Sequence, residues 1–398
     1  MYPLLKGLRI IDITTIVLGP YATQFLGDLG AEVIKVETLD GDMNRYTPPH
    51  GAPGLGGVFV NNNRNKRSLS IDLKSAQGRD LLLRLIGTAD ALVHNMRQDA
   101  LDRLGFSWEV VRELNPKLVY CAALGYGSAG PYSGKPAYDD IIQAASGLAG
   151  LTWRRDGTPL YHPTVTADKV AALHVVYAVL AALLWRERNG GKGQHVEVPM
   201  LEAMAAFTLN EHLMGASFTD DGALGYHRTM SPNRRPYKTS DGYIALLPYT
   251  TEQWRRALTA LGREDIVAEP WFCDNAERSK RTNDLYVVLG QALETRTSKA
   301  WLELFEKLDI PCGPVNALED LLRDPHLVAA GVFEPNYDRP TPIKRSLRQP
   351  VIMGGVTREP DTPAPSLGAD TRALLEELGL SASEVDGLVA ARVVKAQS

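Results

Sequence analysis

The sequence predicts an α/β protein with Rossmann-like layering and a second domain. Two observations carry the layering. A strand–helix–strand pattern fills residues 8–37, and short apolar strand signals alternate with helical periodicity onward to residue 124. Such alternation builds parallel sheets, because parallel strands need a crossover between them. A third observation divides the chain: residues 215–242, rich in Gly, Ser, Pro, Asp and Arg, interrupt the pattern before a new strand starts at Tyr243.

Taken in order, residues 8–13 (LRIIDI) are an isoleucine-rich apolar run, the mark of a buried strand. Gly19-Pro20 is expected to break it, and residues 21–29 place apolar side chains at helical spacing. Residues 31–37 (AEVIKVE) read as the next strand. A helix over 79–89 and strands over 91–94 and 118–124 follow. From Asp168 to about Arg188 runs a long helix, apolar on nearly every face, as expected of one buried in a large core. Gly190, Gly191 and Gly193 stop it, and residues 194–199 read as a strand. Beyond the polar stretch, 243–247 is a strand, with helices around 251–262 and 298–307. The Pro-rich residues 335–365 lead to a final helix at 371–378, stopped by Gly379.

Composition narrows the class. At 398 residues, 44% hydrophobic and 23% charged, the chain suits two globular domains with large cores. With 43 basic and 47 acidic residues the net charge is −4, which argues against a general nucleic-acid binder. Cys121, Cys273 and Cys312 form no CxxC motif, and an odd count suits a reducing compartment. The longest apolar run, 175–185, is shorter than the roughly 20 residues that cross a bilayer, and no secretory leader is evident. A cytoplasmic protein without membrane attachment is expected. Neither GxGxxG nor a Walker P-loop occurs, so the layering does not by itself indicate a nicotinamide or ATP enzyme.

One carboxylate stands out. Asp168, in TVTADK at 164–169, lies where a loop enters the apolar helix. Position alone favours a helix cap, since Asp accepts orphan amide hydrogens there. The sharper alternative is a nucleophile, because a carboxylate is already ionised at neutral pH and needs no base to activate it.

Several motifs, in order, extend this reading. They are LRIID at 8–12 with Gly19-Pro20, LGAEVIKVE at 29–37, NKRS at 65–68, and ALDRLG at 100–105. Next come Gly125-Tyr126-Gly127 with Gly130-Pro131, then Tyr138-Asp139 with Gln143-Ala144 and Ser146-Gly147. Asp168, Gly193-Gln194, IPCGPV at 310–315 and Asp324-Pro325 complete the series. Together they resemble the class III CoA-transferases, the family that includes formyl-CoA and carnitine CoA-transferases, over nearly the whole chain.

The resemblance implies that Asp168 is the nucleophile of a ping-pong reaction, forming an aspartyl-CoA thioester between an acyl-CoA donor and a carboxylic acid acceptor. It implies no metal and no permanently bound cofactor, with coenzyme A entering as substrate. Thr15, Ile16, Val17 and Leu18 match the loop lining the CoA channel, and Lys74, Asn95, Arg97 and Arg103 match positions that hold the cofactor's phosphates. Tyr138 matches a tyrosine near the thioester. The implied architecture is an interlocked homodimer, whose large Rossmann-like domain combines residues 1–214 and 335–398 around a smaller inserted α/β domain at 225–325.

Two departures bear on this. Thr38 stands where some relatives have an adenine-contacting arginine, and residues 231–237 (SPNRRPY) replace a glycine run that shields the intermediate in formyl-CoA enzymes. Arg234 and Arg235 in that stretch are candidate clamps for a second carboxylate, since guanidinium binds carboxylate by two parallel hydrogen bonds. The alternatives are a 2-methylacyl-CoA racemase of the same fold, a non-catalytic CoA-binding protein, and a dinucleotide oxidoreductase. Racemase relatives carry a base histidine where this chain has Tyr138, and tyrosine is a poor base at neutral pH.

Overall fold

The computed structural model describes residues 1–333 and 336–397; Pro335 and Ser398, the ends of the expected C-terminal segment, lie outside them. In chain order the strands are β1 (Arg9–Asp12), β2 (Glu32–Glu37), β3 (Lys66–Ile71), β4 (Ala91–His94), β5 (Val119–Leu124), β6 (Gln194–Pro199), β7 (Tyr237–Lys238), β8 (Tyr243–Leu246), β9 (Cys312–Pro314) and β10 (Val394–Lys395). The described residues cluster into two compact units, one of 1–148, 161–207 and 328–398, the other of 149–160 and 208–327.

The first unit is built on a seven-stranded sheet in the order β10-β3-β2-β1-β4-β5-β6. Every pairing is parallel except β10 against β3. The sheet is mostly apolar: Ile10, Ile11, Ile34, Leu69, Leu92 and Val93 are fully buried, each contributing about 1.5–3 kcal/mol through removal from water. The strand sequence reverses direction between β1 and β4. In an open α/β sheet that switch point leaves a crevice beyond the strand ends, where ligands bind.

Three helices shape the crevice: α1 (Leu18–Asp28), α2 (Asp139–Ala145) and α3 (Thr166–Arg188). Gly19-Pro20 does not separate strand from helix as expected; both lie in the first turn of α1. Proline is tolerated there because its missing N–H would have no intrahelical partner. The helix at Thr371–Glu377 is not the last. A further one, Ala382–Ala390, opens with a capping box between Ser381 and Glu384, and β10 follows it. Leu374, Leu375, Val385 and Val394 from this return segment sit in the same core as Ile11 and Leu92.

Helix α3 departs from expectation in its burial. One face, including Ala171, Val175, Val179 and Leu183, is buried. The opposite face exposes Leu173, Tyr177, Leu184 and Trp185. By length and composition alone α3 would span a membrane, yet the unit's own fold buries nine of its residues, Asp168 and Arg186 among them.

In the second unit, β7, β8 and β9 form an antiparallel sheet. Its core gathers Trp254, Phe272, Tyr286, Leu289, Trp301 and Phe305, contributed chiefly by helices Thr251–Ala260, Thr282–Leu293 and Ser298–Lys307. The polar stretch expected as a linker supplies a short 3-10 turn at Met214–Ser217 and the strand β7.

Candidate active site

The site grows out of a buried charge network at the end of β1. Asp12, the last residue of that strand, is fully buried and accepts from Lys66 Nζ at 2.9 Å and from Thr14 and Thr23 hydroxyls. Burial alone would raise its pKa, but Lys66 and Lys35 overcome this and hold the carboxyl far below the usual range. Lys35 Nζ, also buried, donates to Thr14 O at 2.9 Å and to Asp42 Oδ2 at 3.2 Å. Buried ions persist only when paired in this way. The network fixes the direction in which the chain leaves β1.

That exit is the loop Thr15–Leu18, and it lines a cavity of about 670 Å³ together with Asp42, Asn95, Arg97, Lys135, Tyr138 and Asp168. The cavity therefore lies in the switch-point crevice, between the ends of β1 and β4. An adjoining cavity of about 830 Å³ shares Arg97, Leu124, Gly125 and Lys135 with it.

Asp168 is 8% exposed and faces this cavity. The cap reading fails for it. Helix α3 starts two residues earlier, at Thr166, behind Val165, which makes no side-chain cap bond. The N–H of Asp168 is instead satisfied from outside, by Asp139 Oδ1 at 3.0 Å. Asp139 is positioned in turn by Gln143 Nε2, which donates to Oδ2 at 2.6 Å. Gln143 also accepts from the N–H of His162 at 2.9 Å and donates to Thr164 O at 3.2 Å, tying the loop before α3 to α2. The Asp168 carboxylate has no protein hydrogen-bond partner among the described residues. Burial pushes its pKa up, helped by the neighbouring Asp139 charge, to about 7. A desolvated, unpaired carboxylate is a stronger nucleophile than a solvated or capped one.

The other expected residues divide. Ile16, Val17, Leu18, Arg97 and Tyr138 reach the cavity wall; Tyr138, at 71% exposure, sits just ahead of α2. Asn95 also lines the cavity, with its side chain bound to the backbone of Thr15. Its Oδ1 accepts from the N–H of Thr15 at 3.0 Å, and its Nδ2 donates to Thr15 O at 2.8 Å. Lys74 and Arg103 are not among the lining residues; Lys74 is exposed and Arg103 pairs with Asp99 at 3.0 Å on an exposed helix face. Arg234 is half-buried and Arg235 exposed; Arg235 borders a separate cavity of about 490 Å³ with Tyr237, Lys238 and Tyr286. Sequence reasoning missed Lys135, the second cation on the active cavity, although Gly134-Lys135-Pro136 just before Tyr138 marked a constrained basic loop.

Comparison with known proteins decides the family. The model of CoA-transferase family III matches residues 5–371. This chain belongs to that family. The transferase is 32% identical over 390 residues to the succinate–glutarate CoA-transferase of Agrobacterium fabrum, covering 94% of this chain and 96% of that one. It is 31% identical to the succinyl-CoA:mesaconate CoA-transferase of Haloarcula hispanica, covering 94% and 96%. A CaiB/BaiF family protein from Brucella suis has the same fold, with a TM-score of 0.80 at 30% identity, covering 95% of this chain and 100% of that one. The chain is thus a CoA-transferase, acting on CoA thioesters and carboxylates, and its mixed α/β fold is that of the family.

Proposed function

We propose that this enzyme moves CoA from an acyl-CoA donor to a dicarboxylic acid by a ping-pong reaction through an aspartyl-CoA thioester on Asp168. The observation that carries the mechanism is the free Asp168 carboxylate on the cavity wall, its helix N–H taken over by Asp139. In the first half, Asp168 attacks the donor's thioester carbonyl and expels CoA thiolate, giving a mixed anhydride. The thiolate attacks the aspartyl carbonyl, the donor carboxylate leaves, and the aspartyl-CoA thioester remains. The acceptor carboxylate then attacks that thioester, and the same two steps in reverse order return CoA to the acceptor and free Asp168. Every bond formed is matched by one broken, and no metal or redox step enters.

Thr15, Ile16, Val17, Leu18, Arg97 and Tyr138, with Lys135, are proposed to hold the CoA arm, two cations suiting its phosphates. Lys74 and Arg103 are proposed to meet its outer, nucleotide end. Arg234 and Arg235 are proposed as the clamp for the acceptor's second carboxylate. Dicarboxylate substrates are supported by the relatives named for succinate, glutarate and mesaconate. The large domain of 1–214 and 335–398 is proposed as the CoA-binding part and 225–325 as the inserted one. We further propose an interlocked homodimer, supported by the exposed apolar face of α3. The free cysteines Cys121, Cys273 and Cys312 support a reducing, cytoplasmic setting.

The test is a transfer assay with succinyl-CoA and a panel of mono- and dicarboxylates. Asp168→Ala and Asp168→Asn should abolish transfer while CoA still binds, and hydroxylamine should inactivate the wild type only when acyl-CoA is present. Near-normal turnover by either variant would discard the covalent mechanism. In the same assay, Arg234→Lys or Arg235→Lys should raise the acceptor's KM roughly tenfold, the loss of about 1.4 kcal/mol of bidentate bonding. A preference for monocarboxylates would discard the dicarboxylate reading alone.

A further inference from the structure

Ile16 has φ of +73°, in the left-handed region. For a β-branched side chain this is a strained conformation that glycine would adopt freely. Such strain persists only where the surroundings over-determine it, and it collects at functional sites. Here the surroundings are visible. The N–H of Ile16 donates to Asp42 Oδ2 at 3.2 Å, and its C=O accepts from Asn44 Nδ2 at 2.7 Å. With Asn95 holding both polar groups of Thr15, all four backbone hydrogen-bonding groups of this dipeptide are bound by side chains.

The clamp is itself anchored to the sheet. Asp42 is 1% exposed; its Oδ2 also accepts from Lys35 Nζ at 3.2 Å and its Oδ1 from the N–H of Asn44 at 3.0 Å. Its own N–H donates to Glu37 Oε1 at 3.0 Å. Lys35 and Glu37 both belong to β2, so a rigid central strand dictates the position of the loop. Asp42 borders the cavity, with its carboxylate committed to these bonds.

We propose that Asp42 and Asn44 are positioning residues for CoA transfer: they hold Ile16 left-handed and so fix the loop entering α1 on the cavity wall it shares with Asp168. The proposal rests on the reading of Asp168 as nucleophile. It explains how an isoleucine, rather than glycine, can stand there. The side chain supplies apolar wall, and the clamp supplies the geometry that isoleucine would not adopt alone. Misplacing a group beside a reacting centre by about 1 Å costs up to ~100-fold in rate.

The experiment is a double-mutant cycle between Asn44 and Ile16, read by kinetics and by thermal melting. Asn44→Ala should lower kcat at least about tenfold while the KM for the acyl-CoA donor changes less than about threefold. Asn44→Asp, which keeps the shape but cannot donate to the carbonyl, should lose as much. In an Ile16→Gly background the same Asn44 changes should cost less than about twofold, because glycine holds a positive φ unaided. The melting cycle should show the same coupling, with Asn44→Ala lowering the midpoint more in the Ile16 parent than in the Ile16→Gly background. Wild-type turnover by both Asn44 variants, or equal losses in both backgrounds, would overturn the clamp. Turnover by Asp168→Asn would instead remove the underlying mechanism, and the melting cycle would still decide whether the clamp exists.

Discussion

At the scale of the residue, the proposed chemistry turns on the protonation of Asp168. Burial pushes its pKa up to about 7, so the carboxyl of the free enzyme titrates near neutral pH, and its protonated form cannot attack as a nucleophile. The kcat/KM profile should therefore rise with pH and level off above about 7. Asp139 contributes to the shift by repulsion, behind burial. Asp139→Asn removes that charge but keeps an oxygen for the N–H of Asp168, so it should move the rising limb to lower pH. An unmoved limb would show that Asp139 does not tune the nucleophile. Stability must follow the same titration. The carboxyl's pKa is higher in the fold than in the unfolded chain, so the folded state binds the extra proton between about pH 4 and pH 7. Asp168 thus erodes stability as pH rises through that window, and the full penalty stands above it. Asp168→Asn should melt higher than wild type at pH 8, with the gap closing toward pH 4. The placement of Asp168 at the start of an apolar helix was legible in the sequence, because TADK opens that helix within a recognisable series of motifs. Its freedom from capping was not, since the group that replaces it, Asp139, lies 29 residues away.

At the scale of the element, α3 works as a platform whose entry is set by α2. Gln143, fully buried, spends its amide on Asp139, His162 and Thr164, and so pins the loop that delivers Asp168. Gln143→Ala should leave the buried Asp139 carboxylate short of a donor, costing about 1–3 kcal/mol of stability. It should also lower kcat, with the donor's KM less affected; urea unfolding and steady-state kinetics would measure the two effects. Unchanged kcat would mean the loop is held by other contacts. Elements with one strong signal were readable. The buried strand β5 is an unbroken apolar run and β2 carries the apolar core Val33, Ile34 and Val36 between charged residues, and their positions matched within a residue or two. Where two signals competed, reading failed. Pro20 looked like a breaker but occupies a first turn, and the helix Ala382–Ala390 was overlooked although Ser381 and Glu384 advertise its start. The clamp on Ile16 joins side chains 26 and 28 residues distant, a register that only the folded sheet creates.

At the scale of the whole molecule, the proposed nucleophile and the proposed dimer contact share one helix, α3. Its exposed residues Leu173, Tyr177, Leu184 and Trp185 recur at helical spacing on the face opposite the core. Apolar faces of this kind on a single chain usually mark contact with another. A second copy of this chain is the occupant that the proposed homodimer supplies. The composition of α3 then has a physical cause: a helix apolar all round is needed where one face packs in its own unit and the other meets a partner. The helix that carries Asp168 at its start would also carry the dimer contact along its length. Two kinds of dimer differ sharply in dynamics. Subunits that merely dock separate on dilution, whereas interlocked rings come apart only if one opens, which requires breaking folded structure. Tagged and untagged dimers, purified separately and mixed at nanomolar concentration, should therefore show no mixed species by native mass spectrometry over hours. Mild urea, below the unfolding transition, should start the exchange. Leu173→Glu with Tyr177→Glu places charge on the shared face and should yield monomer or aggregate when the chain is expressed, with transfer activity lost in proportion. Exchange within minutes by the wild type would rule out interlocking while leaving a docked dimer, and a charged double variant that stayed dimeric would move the contact off α3.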